Sequence, residues 1–271
     1  MTLELPKVSV VTVVRNAETT IESTIVSVLS QSYPNLEYIV IDGKSDDRTN
    51  FIIEGYREQI DTYLSEPDQG IFDAMNKGAK LASGDWIIYM NAGDYFYTPD
   101  SLMQLKDALK SDADVILAGA EKILEDELET RHFRTMPGEV AEIWRQMPIV
   151  HQATLVRLSC QQQYQFNTRY TWCADHDLLA RMYRDGKKFL RQEHLICYYD
   201  CSGGKVRDPK LFIWERWRLS RGLVPWYRHL LQYGSELFHC TVWGKVVSIV
   251  KMFLPASTIL RLRRWRGTAG N

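Results

Sequence analysis

The chain has 271 residues, 45% apolar and 25% charged, enough for one large globular domain or one domain with an appendage. Its formal net charge of −1 hides an asymmetry: from Lys205 onward there are 13 Lys+Arg against 3 Asp+Glu, so residues 1–204 carry −11 and the remainder +10. The five cysteines are odd in number, scattered and without a CxxC pair, which argues against a zinc site or a disulfide framework and for buried or free thiols in a reducing compartment. The opening MTLELPKVSVV has no basic n-region or cleavage site, and no stretch approaches the ~18 uncharged apolar residues of a spanning helix. A cytoplasmic protein is expected.

Taken in chain order, the first half alternates strand and helix signals. Residues 8–14 are β-branched almost throughout, as a strand buried on both faces would be. Ile21, Ile25, Val28 and Leu29 follow at helical spacing, and Tyr33-Pro34-Asn35 breaks the chain. A second strand spans 36–41, and the acidic and hydroxyl residues of 42–47 suit the cap of a helix near Thr49. Ile71, Ala74, Met75, Gly78 and Ala79 form an apolar helical stripe, and 86–90 reads as the next strand. Repeated βα winding predicts an α/β fold on a mainly parallel sheet.

The stretch from Ser65 to Asp94 carries the most chemistry. It reads as a loop carboxylate (Asp68), a helix, a turn, a buried strand and a second carboxylate (Asp94) just past the strand end. Open α/β sheets bind ligands outside the carboxyl ends of their strands, so Asp68 and Asp94 share one rim. Asp42 leaves the same end of the second strand. Two acids on one rim suit a nucleotide base or ribose and a divalent metal on a diphosphate. Taken singly, Asp42 and Asp68 also fit helix caps, and Asn91-Ala92-Gly93-Asp94 also fits a plain strand exit.

The words SVVTVVRNAE, EYIVIDGKSDD, SEPDQGIFDAMNKG, NAGD, HQATLVR, ADHDLLARMY and SGGKV run in order from Ser9 to about Val206. In that order and spacing the chain resembles the family 2 glycosyltransferases of the GT-A fold, and looks closest to the branch that builds bacterial exopolysaccharides such as colanic acid. The resemblance implies a Rossmann-like GT-A domain over 1–204, with 1–95 as donor half and 96–204 as acceptor half. It implies inverting transfer of a sugar from a nucleoside diphosphate to an acceptor hydroxyl, assisted by Mn2+ or Mg2+. Asp94 falls at the metal-ligand position. Thr12, Val14, Arg15, Asp42, Asp68, Lys77, Asn91 and Ala92 fall in the donor pocket. Lys77 reads equally as a diphosphate contact or a solvated helix lysine. Two departures stand out: Asn91 replaces the first metal aspartate, and Arg15 stands where an aromatic often stacks on the base.

For the acceptor side, the family's Glu-Asp pair reads Ala174-Asp175, leaving Asp175 as the base that takes the acceptor proton. Asp177 is the runner-up, and also fits an N-terminal helix carboxylate. His176, adjacent on the same helix, points elsewhere. His151 lies near the acceptor cleft by resemblance, or is structural at a strand start. His194 reads as a buried strand-end histidine, with a further metal ligand as the alternative. In Ser202-Gly203-Gly204-Lys205-Val206-Arg207, the glycines suit a closing loop that brings Lys205 or Arg207 to the diphosphate, or an ordinary linker.

Residues 205–271 hold five of the eight tryptophans and interleave large apolar groups with arginines. That pattern predicts an amphipathic helical tail on an anionic membrane surface, at the inner face of the cell membrane. Packing or dimerisation is the second reading; nucleic acid, the third, lacks a recognised binding framework. Membrane docking suits an acceptor saccharide carried on a polyprenyl diphosphate. Two other classes compete. A sugar-nucleotide pyrophosphorylase would need a glycine-rich loop where Val14-Arg15-Asn16-Ala17 stands, and a non-catalytic scaffold subunit would fit the two lost carboxylates.

Overall fold

The computed structural model describes residues 5–125, 130–200 and 208–238. Its contacts divide the chain into two units, Met1–Val206 and Arg207–Asn271. Lys205, Arg207, the rest of the glycine-bearing segment and the tail beyond Phe238 lie outside the described residues.

The first unit opens with β1 (Val8–Val14), every residue of which is buried. Helix α1 (Ile21–Leu29) follows and buries Ile21, Thr24, Ile25 and Val28, the i, i+3, i+4, i+7 stripe. Next come β2 (Leu36–Asp42), α2 (Thr49–Glu54), β3 (Thr62–Ser65), α3 (Ile71–Leu81) and β4 (Trp86–Tyr89). Strands β3-β2-β1-β4 are parallel neighbours, with Val8 paired to both Leu36 and Trp86. Helix α3 lies close on this sheet at Gly78, where an added Cβ would sit 2.4 Å from Val11 Cγ1.

The remaining elements are β5 (Tyr95–Phe96), α4 (Lys106–Leu109), β6 (Val115–Glu125), β7 (Thr130–Thr135), β8 (Thr154–Arg157), α5 (Leu158–Tyr164), α6 (Ala174–Arg184) and β9 (Phe189–Asp200). Here the expectation of a mainly parallel sheet gives way. The sheet continues β4-β8-β6-β9-β5; β8 is antiparallel to both β4 and β6, β9 is parallel to β6, β5 is antiparallel to β9, and β7 forms a hairpin on β6. The β6–β7 hairpin and the antiparallel return to β8 need no helical crossover, whereas the parallel β6–β9 pair is reached through α5 and α6. The two regimes meet at the β4–β8 seam. There Trp86, fully buried, donates its indole N–H to the Leu109 carbonyl at 2.9 Å, and the Arg157 guanidinium lies 4.6 Å over its ring. His194 is exposed and mid-strand in β9, not buried at a strand end.

One buried charge braces the opposite end of the parallel strands. Glu37 on β2, 8% exposed, accepts hydrogen bonds from Ser9 Oγ, Ser83 N, Ser83 Oγ and Lys7 Nζ at 2.5, 2.8, 2.5 and 3.0 Å. Burial pushes its pKa up, but these four donors outweigh burial and hold it at about 2.

In the second unit, the described residues form α7 (Pro209–Leu219) and α8 (Trp226–Phe238). Asp208 caps α7, accepting from the N–H groups of Lys210 and Leu211, with Pro209 in the first turn. An Arg216–Glu236 ion pair at 2.9 Å links the two helices, and His229 and Tyr233 are the buried residues of α8.

Candidate active site

The carboxyl ends of β1, β2 and β3 form one half of the site. Arg15, Gly43 and Asp68 converge there: a Cβ on Gly43 would stand 2.2 Å from Asp68 Oδ2 and 3.4 Å from Arg15 Cβ. Asp68 Oδ1 accepts from Gly70 N at 2.9 Å, and its carboxylate remains partly exposed at the rim. Two loops are stapled together beside it. Asn16, in the left-handed region at φ 51°, receives Asp46 N–H on its side chain and donates its own N–H to Ser45 Oγ.

Several donor-pocket assignments change on this geometry. Asp42 is fully buried, and its oxygens accept from Ser45 Oγ and Ser65 Oγ, both at 2.5 Å. It frames the pocket by tying the β2 and β3 exits together instead of facing a base. Thr12 is fully buried in mid-strand with its hydroxyl 3.1 Å from Tyr38 OH, so it belongs to the core. Val14 is buried as well, and its carbonyl is taken by Gly43 N–H at 2.8 Å. Lys77 reaches back to Glu66 at 2.9 Å, Asp73 at 3.6 Å and the Pro67 carbonyl at 2.7 Å, locking the segment that carries Asp68. In this arrangement Lys77 serves its own segment.

The turn Asn91–Asp94 leaves β4 as the centre of the site. Asp94 N–H closes it on the Asn91 carbonyl at 2.9 Å, with Gly93 at φ 100°, a conformation glycine adopts without steric cost. Thr24 of α1 clamps this turn: its hydroxyl donates to the Asp94 carbonyl at 2.8 Å and receives Gly93 N–H at 3.0 Å. Ala92 follows the line of β1, donating its N–H to the Val13 carbonyl at 3.2 Å.

A short 3-10 turn, His151–Ala153, joins this exit to the second half. Gln152 Nε2 donates to Asp94 Oδ2 at 2.8 Å. His151 Nε2 lies 3.0 Å from Asn91 Nδ2, and His151 Nδ1 lies 3.3 Å from Asp175 Oδ2. The protons follow from the partners. An ionised carboxylate only accepts, so Nδ1 carries the hydrogen and Nε2 presents its lone pair to the Asn91 amide N–H. Asn91 Oδ1 is then left without a hydrogen-bond partner, although Asn91 is only 9% exposed. A buried orphan acceptor is costly and marks a place for a cation or a hydroxyl donor.

Asp175 lies in the first turn of α6, with Oδ1 accepting from His176 N at 2.7 Å. Burial raises its pKa, but the hydrogen bonds from His151 and from the His176 N–H outweigh burial and keep it below the usual carboxylate range. Its side chain is 20% exposed, so the ionised group meets solvent. Asp177, the alternative base, pairs with Arg181 Nε at 2.7 Å and is 6% exposed, which makes it structural. His176 is buried and turned to the Ile143 carbonyl at 2.5 Å. Sequence reasoning missed Gln152; its place beside His151 was the only signal.

The donor set was tested against a divalent cation. Among the described residues no three His, Cys, Asp or Glu side chains converge. Asp94 and the orphan Asn91 Oδ1 are both oxygen donors, and they fit Mg2+ or Mn2+ only where a diphosphate and water complete the coordination.

The model of glycosyl transferase family 2 matches residues 9–207. An uncharacterized glycosyltransferase of Mycobacterium tuberculosis is 39% identical over 105 residues, 38% of this chain and 40% of the relative, so the match spans well under half of that relative's length. A PGL/p-HBAD biosynthesis glycosyltransferase of Mycobacterium bovis is 24% identical over 196 residues, 70% of this chain and 75% of that one. Among solved structures, Staphylococcus aureus TarS in complex with UDP-GlcNAc superposes at TM-score 0.65 with 17% identity, covering 87% of this chain and 73% of that one. Mannosyltransferase PcManGT from Pyrobaculum calidifontis, in complex with GDP-Man and Mn2+, gives 0.67 with 14% identity over 98% and 81%. The architecture is the GT-A fold, and the chain belongs to glycosyl transferase family 2.

Proposed function

We propose that the chain transfers a sugar from a nucleoside diphosphate donor to a hydroxyl of a lipid-linked saccharide, with inversion at the sugar carbon. The observation that carries this reading is the pair of bonds from the His151-Gln152 turn, one to Asp175 and one to Asp94. They bring a carboxylate kept ionised to the rim where a diphosphate's cation would be held.

Asp175 Oδ2 takes the proton of the acceptor hydroxyl as that oxygen bonds to the donor's sugar carbon. The bond from that carbon to the diphosphate breaks, and the nucleoside diphosphate leaves with its electron pair. Asp94 and Asn91 Oδ1 would hold Mg2+ or Mn2+, which when bound supplies positive charge to the leaving diphosphate. Asp68 and Arg15 line the donor rim; a guanidinium can stack on a base. The structures with UDP-GlcNAc and with GDP-Man and Mn2+ support a sugar-nucleotide ligand of this kind.

The test pairs donor binding with turnover. Purified protein is screened by thermal shift against UDP- and GDP-sugars with and without Mn2+, and product is then followed with a polyprenyl-linked acceptor. A ligand at a hundredfold excess over its dissociation constant stabilises the fold by about 2.7 kcal/mol. Asp175→Asn is expected to keep that shift and lose ~10²- to 10⁴-fold in turnover. Unchanged turnover would remove Asp175 from the chemistry, and a donor shift with no turnover in the native chain would favour a scaffold role.

A further inference from the structure

Helix α8 turns the wrong face outward for a helix of a water-soluble unit. Its buried residues are His229 and Tyr233, while Trp226, Leu230, Leu231 and Phe238 are 76%, 60%, 73% and 58% exposed. At 100° per residue, Trp226, Leu237, Leu230, Tyr227, Phe238 and Leu231 follow one another around an arc of about 140°. Arg228, Gln232 and Ser235 occupy the opposite side of the helix. An apolar groove of about 590 Å3 between α7 and α8 runs into this face through Leu230 and Leu237, and Trp214 and Trp217 contribute to its other wall.

The charges of the same unit are biased in sign by how they are used. Asp208 is spent on the α7 cap, Glu215 is 1% exposed, and Glu236 is paired with Arg216. Lys210, Arg218, Arg221 and Arg228 remain exposed. Two of these lie over indole rings: Arg218 is 5.3 Å from the Trp214 centroid and Arg221 is 4.9 Å from that of Trp217. Exposed tryptophan and tyrosine beside cations with no acidic partner among the described residues suit a boundary that is apolar on one side and anionic at its surface. No helix among the described residues is long and apolar enough to cross a membrane.

We propose that the exposed apolar face of α8 lies in the surface of an anionic lipid bilayer, with Lys210, Arg218 and Arg221 meeting its headgroups. The face enters the boundary between headgroups and acyl chains, parallel to the membrane plane. A second copy of the chain would have to bring the same cations face to face, whereas an anionic leaflet neutralises them. Docking would tether the chain to the surface where a lipid-linked saccharide is presented, but docking itself requires no transfer activity.

The test is vesicle flotation of the full chain, read without donor or acceptor. Vesicles of phosphatidylcholine containing phosphatidylglycerol should carry the protein up the gradient, and pure phosphatidylcholine should carry far less. Raising salt should weaken binding through screening. Each of Arg218→Gln and Arg221→Gln should lower partitioning about fivefold. Leu230→Glu with Leu231→Glu should abolish it while leaving the donor thermal shift intact, which shows that the fold survives. Flotation unchanged in that double variant would overturn the proposal by moving docking elsewhere in the chain. Equal binding to neutral vesicles would overturn the role of the cations. A concentration-dependent dimer in light scattering that the same double variant dissolves would assign the face to a second copy. Because donor binding is read separately, a failure here is distinct from a failure of the transferase reading.

Discussion

His151 Nδ1 faces Asp175 Oδ2 at 3.3 Å, so the candidate base is held by a residue from a different element, 24 positions earlier in the chain. The hydrogen bond from that histidine, together with the His176 N–H, opposes burial at Asp175. In His151→Phe, burial is left with less opposition and the Asp175 pKa rises. A base must be ionised, so activity is lost as pH falls through its pKa. The acidic limb of kcat/KM should therefore move to higher pH in the variant, and turnover at neutral pH should fall by ~10-fold or more. A limb that stays in place would show that His151 does not tune Asp175.

Gln152 acts on the other side of the turn. Its amide fixes Asp94 Oδ2 at 2.8 Å. Partners that orient a metal-binding group typically matter by 10- to 100-fold in affinity or activity. Gln152→Ala should raise the Mn2+ concentration needed for half-maximal activity by about that factor. Saturating metal should restore most of the turnover; a loss that metal does not rescue would assign Gln152 to the acceptor instead.

Gly43→Ala tests the donor rim. The new methyl would sit 2.2 Å from Asp68 Oδ2, so the carboxylate has to move. Donor affinity should drop by ~10-fold, measured by calorimetric titration, with little change in melting temperature. An unchanged dissociation constant would take Asp68 out of the donor contact.

Glu37 carries the clearest pH linkage in the fold. Its pKa is lowered from 4.5 to about 2, so its contribution is complete above pH 4.5 and is lost as pH falls through about 2. A shift of that size corresponds to about 3 kcal/mol. Glu37→Gln should be destabilised at neutral pH by a comparable amount, and its stability should change less between pH 4.5 and 2 in urea melts. Parallel pH profiles for the two proteins would show that the cluster contributes nothing.

Strands β1, β2 and β4 were legible because burial on both faces writes itself as apolar runs, and α1 and α3 show their apolar stripes; β3, only half-buried, left no such run. The rim was legible too: a carboxylate just past a buried strand stays on the ligand side of the sheet. The antiparallel half was not, because the pairing of Trp86 with Arg157 leaves no local pattern. The partners of Thr12 and Lys77 were hidden for related reasons. A strand residue's partner (Tyr38) and a lysine's local ion pairs (Glu66, Asp73) are invisible in a motif. His151 and Gln152 stood out only as a two-letter word whose two targets lie on separate elements.

The β4–β8 seam has a kinetic consequence. Trp86 pairs with Val8 on one side and Arg157 on the other, across similar stretches of chain, so loop-closure entropy does not order the two edges of β4 in refolding. The parallel strands β3-β2-β1-β4 complete their pairing within the first ninety residues. Synthesis orders the two edges instead, because β1 and β2 are available to β4 well before β8 leaves the ribosome. Until then the β8-facing edge of β4 stays unpaired, and Asp94 waits for the Gln152 amide.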